Sequence, residues 1–391
     1  MIKTKLILPI IVISQFCCTS LWFAGNSVMS DLIEAFHLNS TALGHLTSAV
    51  QFGFIMGTLL FALLTIADRF SPSKVFFISA LCGALFNLGT IIESNNFTSL
   101  IFLRFMVGFF LAGIYPVGMK IAADYYDKGL GKSLGFLVGA LVIGTAFPHL
   151  IKEFSIELPW KSVLIFTSSI AALGGLLLVM LVPNGPYRKK SQKLDFKALF
   201  KVFKNSNFRS AAFGYFGHMW ELYTFWAFVP VILTFYSKLN IETQFNVPLL
   251  SFLIIGLGGL SCVFGGYISQ IKGVKNTALM ALLLSCICCI VSPIIFYIDS
   301  YYLIVAFLMF WGLVVIADSP LFSTMVAQNT GAEVKGTALT IVNCIGFSIT
   351  IFSIQLINWL IDHWTPQYVF TILAIGPLFG LIALFQNKKL N

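Results

Sequence analysis

The sequence predicts an all-α integral membrane protein: twelve transmembrane helices in two pseudo-symmetric six-helix bundles. Three observations predict it: an extreme apolar content, a regular series of long apolar runs, and the placement of the positive charges. Of 391 residues, 58% are hydrophobic and only 10% charged, with a mean hydropathy of +0.92. A soluble domain of this size needs far less apolar surface; a polytopic membrane protein needs this much. A net charge of +9 could suggest a nucleic-acid partner. The basic residues instead fall in short loops between apolar runs, which is the positive-inside pattern.

The runs cover residues 6–28, 43–66, 74–93, 99–120, 132–151, 162–182, 210–236, 247–271, 277–297, 301–323, 336–360 and 367–387. Each is close to the ~20 residues that cross a hydrocarbon core of ~30 Å. The first is too long for a signal peptide's apolar core and has no small-residue cleavage site, so it reads as a spanning helix. With the amino terminus placed in the cytoplasm, 20 of the 24 Lys and Arg lie on the cytoplasmic side, all but Arg104, Lys152, Lys161 and Lys238. Reversing the orientation inverts that ratio. The expectation is a multi-pass protein of a bacterial cytoplasmic (inner) membrane, with both termini inside.

Residues 1–182 are then the first bundle, 183–209 a basic cytoplasmic linker and 210–391 the second bundle. The linker opens on the turn sequence PNGP and carries eight basic residues, from Arg188 to Arg209. Residues 196–203 are expected as a short amphipathic helix on the anionic leaflet. No surrounding fold presents these charges to a nucleic-acid groove. The halves echo one another. ADRFSPSK at 67–74 and GGYISQIKGVKN at 265–276 are both short basic turns, and Trp22 and Trp226 occupy similar levels.

Asp68-Arg69 with Lys74 resembles the loop 2–3 signature of the major facilitator superfamily. Gly266 to Lys275 resembles its degenerate second copy, Arg104 to Gly108 the fourth-helix arginine motif, and Gly336-Thr-Ala-Leu the start of the eleventh helix. The chain departs from the pattern where Leu64 replaces the first glycine of the signature and Ser71-Pro72 its Gly-Arg. Gly135, Gly139 and Ala140 lack the Gly-Pro pair of drug/proton antiporters, and the nitrate-carrier signature is absent. The resemblance implies alternating access around a cavity lined by the first, fourth, seventh and tenth helices. It also implies a cytoplasmic latch in which Arg69 meets Asp124 and Asp68 faces the start of the eleventh helix at Gly336.

Residues 214–228, GYFGHMWELYTFWAF, hold the main candidates. At ~100° per residue, Gly214, His218, Glu221 and Phe225 form one stripe, and Glu221 lies near the membrane's middle. A carboxylate there cannot face lipid cheaply. Either it carries the coupling proton, tuned by His218, or it ties helices together through a hydrogen bond. In a low-dielectric cavity a carboxyl can exchange its proton near physiological pH. Further candidates for the cavity are Gln15, Trp22, Asn26, Gln51, Tyr115, Trp311 and Asn343. Arg104 either snorkels to the headgroups or binds an anionic group. Asp318 is expected at the cytoplasmic gate, paired with backbone donors of the eleventh helix, while Lys120 and Asp124 are expected as gate charges.

The eight cysteines all sit in apolar runs and read as small buried hydrophobes, the Cys286/Cys289 spacing notwithstanding. His45, His149 and His363 are scattered, so no metal is expected, nor any cofactor. No nucleophile-and-base motif points to an enzyme. The expected function is a secondary active transporter, monomeric and coupled to protons, that moves a small polar or amphipathic solute across the membrane by alternating access. The alternatives are efflux of a drug or secreted metabolite and a non-transporting membrane sensor or scaffold.

Overall fold

A chain immersed in lipid has to satisfy its own backbone hydrogen bonds, and among the described residues every regular element is a helix. The computed structural model describes residues 4–126, 130–155, 157–188, 202–240, 244–331 and 333–387. The amphipathic helix expected at 196–203 lies outside them for all but its last two positions.

The spans occur where the apolar runs predict them. Continuous helices cover Ala42–Leu63, Pro72–Gly89, Leu130–Phe154, Lys161–Leu181, Ser206–Leu239, Val247–Lys272, Val274–Ile295 and Lys335–His363. The first, fourth and tenth spans are each interrupted: Thr4–Thr19 then Ala24–Ser27, Phe97–Leu111 then Tyr115–Tyr125, and Tyr301–Ala317 then Ser319–Gln328. The twelfth begins as Pro366–Val369, tightens to a 3₁₀ helix over Phe370–Ala374, and ends as Ile375–Gln386. Among the described residues eleven spans are long and apolar enough to cross a membrane, whereas the first offers only Leu6–Thr19 without a break.

Each break has a chemical cause or partner. Pro116 and Pro320 stand in the first turn after the breaks in the fourth and tenth spans. A proline has no N–H, so the carbonyl four residues earlier loses its helical partner. For Pro320 that carbonyl belongs to Ile316, and the Cys262 thiol of the eighth span donates to it at 3.6 Å. The first span has no proline at its break, at residues 20–23. There the guanidinium of Arg104 donates to the freed carbonyls of Trp22 (2.6 Å) and Leu21 (3.4 Å). Arg104 is 1% exposed, so it does not snorkel to the headgroups as one reading of the sequence allows. Its donor fork is committed to backbone.

Side chains also set where helices begin and end. Asn96, Asn205, Asn246 and Ser300 each accept a hydrogen bond from a first-turn amide. Gly273, at φ +83°, separates the eighth span from the ninth, a conformation L-residues rarely adopt.

The chain divides into two compact units, Met1–Lys193 and Leu194–Asn391. Lipid is as apolar as leucine, so spans associate through close packing at small residues. In the first unit a Cβ at Gly108 would run into the carbonyl of Val50, and one at Gly53 into that of Phe105. In the second unit a Cβ at Gly312 would run into the carbonyl of Ile254. Val50 and Ile254, like Gly108 and Gly312, stand 204 residues apart, and so do Trp22 and Trp226. The same backbone contact is therefore built twice, at the same spacing.

Two of the basic residues that the loop count leaves on the non-cytoplasmic side are paired within the first unit. Lys152 reaches both carboxylate oxygens of Asp31 at 2.8 Å, and Lys161 reaches Glu93 at 2.7 Å. The Lys161 ammonium holds the exposed Glu93 carboxyl below the usual carboxylate range.

Candidate functional site

The seventh span is the longest helix, Ser206–Leu239, and Glu221 lies about 18 Å along it from Arg209. Its carboxylate is 1% exposed and meets three donors. The indole N–H of Trp311 donates at 2.6 Å, the hydroxyl of Ser285 at 2.9 Å and the thiol of Cys289 at 3.3 Å. Ser285 and Cys289 are one turn apart on the ninth span, so both face the same way. Trp311 is held by stacking on Phe225, with ring centroids 4.4 Å apart.

Ser285 has a second possible acceptor, the carbonyl of Leu282 at 3.1 Å. An ionised Glu221 accepts from Ser285. A protonated Glu221 can donate to the Ser285 oxygen while that hydroxyl's hydrogen turns to Leu282. Both forms of the carboxyl then remain hydrogen-bonded, which matters because an unpaired buried polar group costs about 1–3 kcal/mol.

His218 is not the partner of Glu221 that the shared stripe suggests. Its Nδ1 lies 2.8 Å from Oδ1 of Asp318, and both side chains are 1% exposed. Asp318 accordingly turns to the seventh span, not to backbone donors of the eleventh. The reason is a break and a glycine. Asp318 forms the junction between the two pieces of the tenth span. A Cβ at Gly214 would strike the ring of Phe322, so only glycine lets the second piece lie this close. Phe322 is one turn beyond Asp318, and Gly214 one turn before His218.

In the first unit, Gln15 and Gln51 are fully buried, and neither amide atom of either has a hydrogen-bond partner among the described residues. Asn26 donates to the Thr47 hydroxyl at 2.7 Å, and Trp22 packs on Phe54 with centroids 4.9 Å apart. Thr47, Gln51 and Phe54 share one face of the second span, whereas the break at residues 20–23 separates Gln15 from Trp22 and Asn26 on the first. Tyr115 and Asn343 are half-buried.

A further charged cluster sits around the loop between the second and third spans. Lys120 lies 2.7 Å from Asp68 and 3.8 Å from Asp124. Arg188 donates to the carbonyls of Asp68 (2.7 Å) and Phe70 (2.8 Å). Arg69 is exposed and donates to its own neighbour Thr65 at 3.2 Å, so the expected Arg69–Asp124 pair is not formed. Lys120 takes that place because it is one turn before Asp124 on the same helix, with its ammonium between the two carboxylates.

A sequence profile described as the Major Facilitator Superfamily matches residues 11–354. The chain belongs to this superfamily. Its class of activity is thus membrane transport and not enzymatic catalysis. No curated protein sequence matches the chain. Among solved structures, the nucleoside transporter NupG aligns with a TM-score of 0.73 at 17% identity, covering 98% of this chain and 99% of its own. The proton:xylose symporter XylE, bound to 6-bromo-6-deoxy-D-glucose, aligns with a TM-score of 0.76 at 12% identity over 98% and 95%. An inward-facing, unoccupied bacterial homologue of the human lysosomal transporter Spinster aligns with a TM-score of 0.71 at 13% identity over 98% and 96%. At these identities the likeness is one of fold.

Within this major facilitator, the second unit brings together Glu221 and Trp311, and separately His218 and Asp318. The first brings together Asn26 with Thr47 and Asp68 with Lys120 and Asp124. Sequence reasoning missed Ser285 and Cys289 as partners of Glu221. Reading the cysteines as small hydrophobes hides a thiol donor, although Ser285 and Cys289 at a one-turn spacing were a usable signal. It also missed Arg188, whose two carbonyl partners no sequence pattern marks. Among the described residues no three His, Cys, Asp or Glu side chains converge as metal ligands.

Proposed function

We propose that this major facilitator is a secondary active transporter that carries a small polar or amphipathic solute by alternating access, driven by a proton on Glu221. The observation that carries the reading is the three-donor environment of that carboxyl. A tie between helices needs only a neutral amide or hydroxyl. A buried carboxyl is costlier, and here Ser285 can serve its ionised and protonated forms alike. His218 and Asp318 form a second ionisable pair beside it.

Gln15 and Gln51 are the solute's hydrogen-bonding partners in the first unit, with Trp22 supplying an apolar face. Asn26, Tyr115, Trp311 and Asn343 complete the set, while Arg104 acts only by shaping the first span. Asp68, Lys120, Asp124 and Arg188 form the gate cluster. The charge distribution supports a bacterial inner membrane with both termini in the cytoplasm, and the protein acts as a monomer. Neighbours named for nucleoside and for xylose transport support an uncharged, hydrogen-bonding solute.

The test is uptake of labelled nucleosides and sugars into proteoliposomes, with and without a pH gradient. Accumulation is expected only with the gradient. A solute taken up equally in both conditions would remove the proton from the scheme.

A further inference from the structure

A cleft of about 440 Å³ opens on the side of the second unit where the seventh, eleventh and twelfth spans meet. Its floor is a backbone contact: a Cβ on Gly217 would meet the carbonyl of Gly376, and one on Gly376 would meet that of Gly217. With two helices drawn together there, the flanking aromatic side chains splay and leave a groove. Phe352 and Phe379 on its walls are 71% and 50% exposed. Trp220 closes one end, and its indole N–H is spent on the carbonyl of Ile372 at 3.3 Å.

The lining is apolar throughout, so water, which needs two to four polar partners, has no place in it. Hydrocarbon is the chemistry that matches such a lining. From Phe213 to Trp220 the groove runs from about 6 to about 17 Å beyond Arg209, the depth of one leaflet's hydrocarbon. Its mouth is basic. Arg209 is exposed and stands one turn before Phe213, on the helix stripe that carries Phe213, Phe216 and Trp220. Its Nη1 donates to the carbonyls of Phe203 and Lys204, both at 3.0 Å, and the guanidinium has three further donors. Lys204 is exposed close by.

We propose that this cleft binds one acyl chain of an anionic phospholipid of the bilayer, with the lipid phosphate held by Arg209 and Lys204. An apolar groove one leaflet deep with cations at its mouth matches the two parts of such a lipid. The site is independent of the Glu221 cluster, so it stands or falls apart from the coupling scheme.

The full chain is reconstituted in phosphatidylcholine vesicles containing dibrominated phosphatidylglycerol or dibrominated phosphatidylcholine. The Trp220 signal is the fluorescence difference between the wild type and Trp220→Phe. Half-quenching of Trp220 is expected at an about fivefold lower mole fraction of the anionic lipid. Arg209→Gln, a surface change, should abolish that preference, as should Ile349→Phe, which fills the groove. Lys204→Gln should reduce it. Equal quenching by both lipids in the wild type would overturn the proposal. So would a preference that survives either Arg209→Gln or Ile349→Phe in protein that remains monodisperse.

Discussion

Lys120 holds Asp68. Their charged atoms are 2.7 Å apart, while Arg69, adjacent to Asp68 in sequence, turns away to Thr65. Lys120→Met should therefore slow transport several-fold, and Arg69→Gln should leave it near the wild-type rate. Asp68→Asn should slow turnover while solute affinity stays within about twofold, less than ~0.5 kcal/mol. Collapse of affinity with normal turnover would show that Asp68 belongs to the binding site and not to a latch.

Glu221→Gln keeps the size of the protonated side chain and removes the exchangeable proton. Solute exchange in proteoliposomes should persist, and accumulation driven by a pH gradient should vanish. Ser285→Ala should weaken gradient-driven accumulation more than exchange, because one protonation state then lacks a partner. Full gradient-driven accumulation by the Gln variant would remove Glu221 as the coupling residue.

His218→Ala strands the Asp318 carboxylate in the interior, and losing one member of a buried pair costs about 3–5 kcal/mol. The His218→Ala, Asp318→Ala double variant should be more stable than the sum of the single losses predicts. Thermal unfolding in detergent measures the cycle. Strictly additive losses would show that the 2.8 Å contact contributes no coupling.

Arg104 satisfies two carbonyls at once, and a lysine lacks its planar fork. Arg104→Lys should lower stability by about 1–3 kcal/mol. Gly25→Ala should do so too, since its Cβ would lie 3.1 Å from the guanidinium carbon. Unchanged melting of both variants would mean that the break at residues 20–23 needs no such support.

Thiols introduced at Ser40 and Ser300 should react with an impermeant reagent applied outside whole cells, and thiols within 183–209 should not. Outside labelling of the linker would reverse the orientation inferred from the charges.

Length and hydropathy locate the spans because crossing a bilayer demands a long apolar stretch whatever the details of packing. They do not locate every break. Residues 20–23, Ser-Leu-Trp-Phe, continue the apolar run without a helix breaker, and the side chain that serves their carbonyls lies some 80 residues on, at Arg104. Pro116 and Pro320 were better signals, since a missing N–H interrupts a helix wherever it falls. Burial of Glu221 and Asp318 was legible from their apolar surroundings. Their partners were not, because pairing depends on rotation of neighbouring spans and on which glycines permit close approach.

The contacts of Gly108 with Val50 and of Gly312 with Ile254 contain no side chain on the glycine's part, so nothing there can change rotamer. Each acts as a clamp that fastens two spans into a single stiff bar. In both units an elbow follows within two turns of the clamp, at 112–114 in one and at 318 in the other. Bending is thereby confined to the far arm of each bar. Amides around Gly108 and Gly312 should be among the last to exchange with deuterium, and those just past the elbows among the first.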